Sequence, residues 1–418
     1  MQLKFRLITM NFLQFFIWGA WLITIANYWF GTKGWGSEDF GRAFLTLGIS
    51  SLFMPAITGI IADKWINAEK LYGILHFLSG ITVFCFPFIN DPNTFFWFML
   101  LAMCFYMPTI ALAITVSYTA MKNAGMNVIK DYPPVRVFGT IGFIIAMWVT
   151  NLSGSKDNEV QFYISAATSI LLGVYSFTLP KCPPQQLNVG KKSFVQLMGL
   201  DAFKLFGNYK MAVFFLFSMF LGASLQLTNM YGDVFLSDFK NFPEYANSIV
   251  VKRSTIIMSI SQISETLFIL TIPFFLRRFG IKKVMLLSMI AWVLRFALFG
   301  YGNPTDGLWM IILSCIVYGM AFDFFNISGS LFVETQTDAK IRASAQGLFM
   351  MMTNGFGTII GAWFSGKIIA KYFTFNDLTK DWPNIWISFA IYALIIALLF
   401  MFIFKHKHNP EEISSIKH

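Results

Sequence analysis

The chain has 418 residues, of which 56% are hydrophobic, only 12% are charged and 49 are phenylalanine. A soluble core of this size cannot hide so much apolar surface, which excludes a water-soluble enzyme or binding domain and leaves a polytopic membrane protein. The formal net charge of +10 calls for no nucleic-acid partner, because the placement of the basic residues along the chain accounts for it.

Apolar windows of about 20 residues, the length that crosses roughly 30 Å of hydrocarbon, recur near 7–29, 42–62, 71–89, 94–117, 136–153, 160–180, 211–231, 248–276, 284–301, 308–332, 343–366 and 384–404. This predicts an all-α membrane protein of twelve transmembrane helices. An even number of spans places both termini on one side. The larger share of the 31 lysines and arginines falls on that side, so the positive-inside rule makes it the cytoplasm. Lys4 and Arg6 before an apolar run resemble a signal peptide, but the run continues past Tyr28 with no small-residue cleavage pattern and reads as the first span. Cys85, Cys104, Cys182 and Cys315 have no paired spacing and read as free thiols, with no metal site or disulfide.

Span 1 presents Phe12, Phe15, Phe16, Trp18 and Trp21 around one amide, Gln14, which faces either a cavity or a neighbouring helix. Span 2 ends in Gly59-Ile-Ile-Ala-Asp63-Lys64. There the glycine permits close helix approach, while Asp63 and Lys64 suit a cytoplasmic gate that latches in one state and releases in another. His76 is the only histidine before the last 13 residues. It reads first as a satisfied packing residue and second as a proton relay.

Asp131-Tyr-Pro133-Pro134-Val-Arg136 opens span 5, where two prolines fit a helix start. Arg136, Thr140 and Phe143 recur on one stripe of that helix, and Arg136 either snorkels to the cytoplasmic surface or meets a ligand or an acid. The polar, proline-bearing stretch 181–210 reads as a cytoplasmic linker. It divides the chain into an N-terminal six-helix half, 1–180, and a C-terminal half, 211–405, followed by a tail, 406–418.

In the second half, Gln226 and Asn229 lie one turn apart near the end of span 7, and Gln262 and Glu265 share one face of span 8. Their amides suit ligand hydroxyls or base edges, or else interhelical hydrogen bonds. Glu265 is an intramembrane carboxylate that either loads and releases protons or is permanently paired with Arg295 or Arg136. Arg295, among Trp292, Phe296 and Phe299, reads as support for an acid rather than a ligand contact. Span 10 places Asp323, within the stretch Tyr318 to Glu334, in the middle of an otherwise apolar segment from about Leu308 to Phe332, with Tyr318 and Phe322 four residues apart. An ionisable group at that depth costs roughly 3 kcal/mol on insertion scales, which makes a function the default reading and a structural ion pair the alternative. In span 11 the glycines from Gly355 on read as close-packing surface, and Asn354 either packs there or reaches a cavity.

Gly59-to-Lys64, twelve spans and the division into halves resemble the major facilitator superfamily, whose halves rock about a central site. Longer stretches narrow this: FLQFFIWGAWL near residue 12, GIIADKW at 59, PPVRVFGTIGF at 133, MGLDAF at 198, SISQISETLFILTIPFFL at 259, YGMAFDFFNISGS at 318 and RASAQGLFMMMTNGFG at 342. Over nearly the whole chain the sequence is similar to the bacterial nucleoside permeases, the nucleoside:proton symporter family within that superfamily. The resemblance implies uptake of purine and pyrimidine nucleosides across the inner membrane, driven by protons. It also implies a substrate site of Arg136, Thr140, Phe143, Gln226, Asn229, Gln262, Glu265, Tyr318, Phe322 and Asp323, with Glu265 and Asp323 as proton carriers, no cofactor, and a monomer in the lipid bilayer. The chemistry agrees, since aromatic rings suit a flat base and amides suit a ribose. A sugar:proton symporter of the same fold is the rival within transport. A membrane receptor or enzyme is the rival outside it, although no catalytic cluster stands at recognisable spacing.

Overall fold

The computed structural model describes residues 2–184, 199–338 and 341–407. Among the described residues, twelve longer helical segments follow one another: α1 (Gln2–Gly19), α2 (Ser37–Lys64), α3 (Ala68–Phe84), α4 (Pro92–Asn123), α5 (Val128–Leu152), α6 (Val160–Ser176), α7 (Tyr209–Asp238), α8 (Ser254–Ile269), α9 (Ile272–Tyr301), α10 (Leu308–Gln336), α11 and α12 (Trp382–Ile403). Helix α11 runs Arg342–Met350, widens into a π turn at Met351–Gly357 and continues over Thr358–Tyr372. Among the described residues, α2, α3, α4, α5, α7, α9, α10 and α12 are long and apolar enough to cross a membrane unaided. Helices α6 and α8 are shorter apolar helices of 17 and 16 residues. Among the described residues the architecture is all-α, with one isolated bridge between Thr374 and Lys380.

By its internal contacts the chain forms two compact units, Met1–Met198 and Gly199–His418. The same pairing recurs inside each unit. In the first, α1 packs on α5, α2 on α4, and α3 on both α4 and α6; in the second, α7 packs on α11, α8 on α10, and α9 on both α10 and α12. Lipid gives apolar helices no reason to associate, so close backbone approach and buried polar contacts hold them together. Both units use the same device. A Cβ at Gly142 of α5 would lie 2.2 Å from the Phe12 carbonyl oxygen of α1, and a Cβ at Gly222 of α7 would lie 2.0 Å from the Thr353 carbonyl oxygen of α11. Only a residue without a side chain fits at either crossing.

Three expected boundaries shift. The first span divides: α1 stops at Gly19, a turn follows, and Ile25–Asn27 leads into a π turn over Tyr28–Thr32. Helix α5 begins before its prolines, because Asn127 Oδ1 accepts from the Lys130 amide at 3.2 Å while Asp131 Oδ2 accepts from the Asn127 amide at 3.1 Å. These reciprocal bonds satisfy the first-turn donors and leave Pro133 and Pro134 inside the helix. The gap between the eighth and ninth apolar windows, 277–283, narrows to a break at one residue, Gly280, whose φ of 76° and ψ of 169° are costly with any side chain. Of the expected 181–210 linker, residues 185–198 lie outside the described residues, and Leu200–Gly207 forms a 3₁₀ turn. Most of the expected 406–418 tail also lies outside them.

Candidate functional site

In the first unit the stripe on α5 is in place: Arg136, Thr140 and Phe143 are each half-buried. The Arg136 guanidinium sits 4.1 Å from the ring centroid of Phe15 on α1. Gly139 makes the room, since a Cβ there would meet Arg136 Nη1 at 2.7 Å. Such a cation–π contact is worth about 0.5–2 kcal/mol, and it fixes the guanidinium on α1.

One residue earlier on α1, Gln14 is wholly buried and faces neighbouring helices. Its Nε2 donates to Thr109 Oγ1 at 2.9 Å, and its Oε1 accepts from the Tyr72 hydroxyl at 2.7 Å. His76 Nε2 lies 2.8 Å from the same Oε1, which can only accept, so that ring nitrogen carries the hydrogen. Tyr106 donates to the Gln14 carbonyl at 2.7 Å, and Ser169 donates to the His76 carbonyl at 2.8 Å. Helices α1, α3, α4 and α6 are thus tied by one network sealed inside the unit. This is the packing reading of His76.

In the second unit the polar residues gather around Arg295 of α9, which is 0% exposed. Its Nε donates to Thr228 Oγ1 of α7 at 3.2 Å, and its Nη1 donates to Ser261 Oγ of α8 at 3.2 Å and to the Ser314 carbonyl of α10 at 2.9 Å. The guanidinium also lies 4.6 Å from the Tyr318 ring centroid and 5.0 Å from that of Phe299. All three hydrogen-bond acceptors are uncharged. Interhelical bonds of about 0.6 kcal/mol each and a buried cation–π contact of about 2 kcal/mol do not by themselves offset the several kcal/mol that burial of an ion costs.

Tyr318 is 4% exposed, with the Arg295 guanidinium over its ring. Its ring stacks on Phe322 at 6.4 Å and 12°, and Trp292 meets it edge-on at 5.8 Å. Gly319, the next residue, brings α10 onto α8: a Cβ there would lie 2.7 Å from the Glu265 amide nitrogen. The Ser264 hydroxyl donates to the Ile316 carbonyl at the same crossing. Asp323 is buried, while Asn229, Gln262, Glu265 and Phe322 are half-buried. Two amide atoms stand out beside the Arg295 anchors Thr228 and Ser261: Gln226 Nε2 and Gln262 Oε1 are both buried without a hydrogen-bond partner. A buried polar atom left unsatisfied costs roughly 1–3 kcal/mol and asks for an explanation such as a ligand.

In the first unit the predicted residues share α5. In the second, Tyr318 and Phe322 stack on α10 with Asp323 buried on the same helix, while Gln226 and Asn229 lie on α7 and Gln262 and Glu265 on α8. Gly59, Asp63 and Lys64 stand apart at the end of α2. There a Cβ at Gly59 would meet no atom within 4 Å, so close approach does not explain the glycine in this conformation. Asp63 and Lys64 are exposed, with the Lys64 ammonium 6.0 Å from the Trp65 ring. Sequence reading named Arg295 as a support but missed it as the hub, although Thr228, Ser261 and Ser314 are hydroxyl residues set in otherwise apolar spans. It also missed Glu69, a 2% exposed carboxylate at the start of α3 whose Oε2 accepts from the Cys182 amide at 2.8 Å and whose Oε1 accepts from Asn67 at 3.0 Å.

A family profile described as Nucleoside H+ symporter matches residues 1–409. The nucleoside permease NupG of Escherichia coli (strain K12) is 52% identical over 411 residues, covering 98% of this chain and 97% of the relative. The xanthosine permease of the same organism is 50% identical over 414 residues, covering 99% and 98%. Among solved structures, nucleoside transporter NupG (D323A mutant) superposes with a TM-score of 0.93 at 51% identity, covering 96% of this chain and 100% of that one.

Proposed function

Because the chain belongs to the nucleoside H+ symporter family, we propose that it takes up nucleosides by proton symport through alternating access of its two six-helix halves. Its substrates are purine and pyrimidine nucleosides. Arg136, Thr140 and Phe143 contact the substrate from the first half, and Gln226, Asn229, Gln262, Glu265, Tyr318, Phe322 and Asp323 contact it from the second. The rings of Tyr318 and Phe322 take the base, and the amides of Gln226, Asn229 and Gln262 take hydroxyls or base edges. Glu265 and Asp323 carry the proton in with the cargo. Gly59, Asp63 and Lys64 form the cytoplasmic gate. The protein works as a monomer in the bacterial inner membrane with both termini in the cytoplasm, as the bias of basic residues supports.

The observation that carries the reading is the pair of unpartnered amide atoms, Gln226 Nε2 and Gln262 Oε1, within a unit that also buries Asp323 and holds the Tyr318–Phe322 stack. A neutral ligand with both donors and acceptors satisfies such atoms without adding charge to a low-dielectric site. Proteoliposomes holding the purified protein, given an inward pH gradient and labelled uridine, inosine and xanthosine, test it. Accumulation that unlabelled nucleosides compete and free ribose, xylose and nucleobases do not is the expected result. Competition by sugars alone would transfer the chain to sugar:proton symport, and no movement of any solute would end the transport reading.

A further inference from the structure

We propose that Thr150 of α5 and Ser165 of α6 are positioning residues of the substrate site, whose hydroxyls hold the break in the first span that seats Gly19 on Phe143. The proposal rests on the reading of Phe143 as a substrate contact and adds to it two residues outside the ten assigned there.

The break is the first observation. Residues 19–29 are all buried, so the irregular backbone is shielded from solvent. The amides of Trp21 and Thr24 turn back only three residues, to the Trp18 carbonyl at 3.4 Å and the Trp21 carbonyl at 3.2 Å. In a regular helix they would serve the carbonyls of Ile17 and Ala20, which are left without their backbone donors. Ser165 Oγ donates to the Ile17 carbonyl at 2.9 Å. Thr150 Oγ1 lies 3.0 Å from the Ala20 carbonyl, its hydrogen shared with the Ala146 carbonyl of its own helix, also at 3.0 Å. Two side chains thus replace what the break removes. Non-helical backbone inside a membrane is tolerated only where protein groups satisfy it, so these hydroxyls are a condition of the break.

What the break positions is the second observation. A Cβ at Gly19 would lie 2.5 Å from the Phe143 carbonyl oxygen and 3.1 Å from the Ala146 Cβ, so the last residue of α1 rests on the α5 backbone at Phe143 itself. The rest of the α5 stripe leans on the same helix: a Cβ at Gly139 would meet the Phe15 ring at 2.7 Å, and the Arg136 guanidinium covers that ring. The outer part of the span is fixed separately. Thr24 Oγ1 donates to Gln161 Oε1 of α6 at 2.9 Å, and buried Trp29 packs on Phe40 of α2 and Phe95 of α4. With that end held, α1 keeps its seat at Phe143 only while the turn between them keeps its shape. Without the two hydroxyls the backbone recovers its lost bonds by closing into a regular helix, which changes the rotation and rise of the chain and shifts Gly19 against Phe143.

Binding of labelled uridine to the purified full chain in detergent tests this, after size-exclusion chromatography has identified the folded variants. Thr150→Val and Ser165→Ala should each lose affinity by about fivefold, the worth of one net hydrogen bond, while Thr150→Ser stays within about twofold of the parent. In a Phe143→Ala background the same two substitutions should weaken binding no further, because residues that act through one another are not additive. Ser169→Ala removes a hydroxyl bond to the His76 carbonyl elsewhere in the unit, and should lower the melting temperature with affinity unchanged. Parental affinity in Thr150→Val and Ser165→Ala would overturn the proposal, as would full additivity with Phe143→Ala, no rescue by Thr150→Ser, or an equal loss in Ser169→Ala. Should Thr150→Val and Ser165→Ala both fail to fold, Ser165→Cys, with its weaker S–H donor, decides: weakened binding supports the proposal and parental affinity refutes it. The reading of Phe143 as a substrate contact fails separately, when Phe143→Ala binds uridine as tightly as the parent.

Discussion

Tyr318 and Phe322 lie one helical turn apart on α10 with their rings nearly parallel, 12° between planes and 6.4 Å between centroids. This spacing is what an i,i+4 pair on a helix produces, and it sets one aromatic wall on α10 beside Trp292 and the Arg295 guanidinium.

Removing half of that wall gives the first prediction. Stacking of a base on an aromatic side chain is worth about 1–3 kcal/mol in single-strand binding systems, so Phe322→Ala weakens uridine affinity by roughly 5- to 150-fold. Gln262→Ala deletes an amide whose Oε1 awaits a partner, and a net hydrogen bond of about 1 kcal/mol sets a loss of about fivefold. Titration calorimetry in detergent measures both. Parental affinity in the two variants together would remove these residues from the binding site.

Close backbone crossings give the second. At Gly222 a Cβ would press on the Thr353 carbonyl oxygen of α11, and overpacking of this kind costs at least ~1–3 kcal/mol. Gly222→Leu should therefore lower the melting temperature sharply or abolish folding. Gly59→Ala is its counterpart: the new methyl meets no atom within 4 Å, and exchange of a helix-interior glycine for alanine gains up to ~1 kcal/mol. The expected outcome is an unchanged or raised melting temperature with slower uptake, as a gate glycine requires. Unchanged uptake would leave Gly59 without a role.

The sealed network of the first unit gives the third. Gln14→Leu strands the Tyr72 hydroxyl and His76 Nε2, which both point at Gln14 Oε1, and a stranded buried polar group costs about 1–3 kcal/mol. The variant should melt several degrees lower while its pH profile of uptake stays where it was. A displaced profile would make His76 a proton relay instead of a packing residue.

Thiol chemistry outside the membrane gives the fourth. Burial first, and the Glu69 carboxylate second, push the Cys182 thiol up to about 12. The thiolate is the nucleophile, so at pH 8 the reactive fraction is about one in ten thousand, some thousandfold below that of an ordinary exposed thiol. In a variant keeping Cys182 alone, maleimide labelling at pH 8 should be negligible and rise tenfold per pH unit. Rapid labelling at pH 7 would show the Glu69–Cys182 contact to be open in solution.

The spans were legible because hydrocarbon thickness imposes one length scale and leaves few charges to interpret. Asp323 and Glu265 announced themselves for the same reason. Contacts that depend on which helices are neighbours were not legible. Arg295 gathers Thr228, Ser261 and Ser314 from three other helices, and nothing in the local pattern of α9 specifies which helices those are. Helix ends misled where backbone chemistry overrode hydropathy. Asn127 and Asp131 start α5 ahead of its prolines, and Gly280 narrows the gap between two apolar windows to one residue. Gln14 was ambiguous because an amide suits a cavity and a neighbour equally, and only the positions of Tyr72, His76 and Thr109 decide.

The most direct measurement is nucleoside accumulation in proteoliposomes under an imposed pH gradient, comparing the parent with Asp323→Asn and Glu265→Gln while uridine exchange without a gradient is followed in parallel. If these acids couple protons to cargo, the parent concentrates uridine above its external level and the replacement of at least one acid abolishes that concentration while leaving exchange measurable. Accumulation to parental levels in both variants would contradict the account.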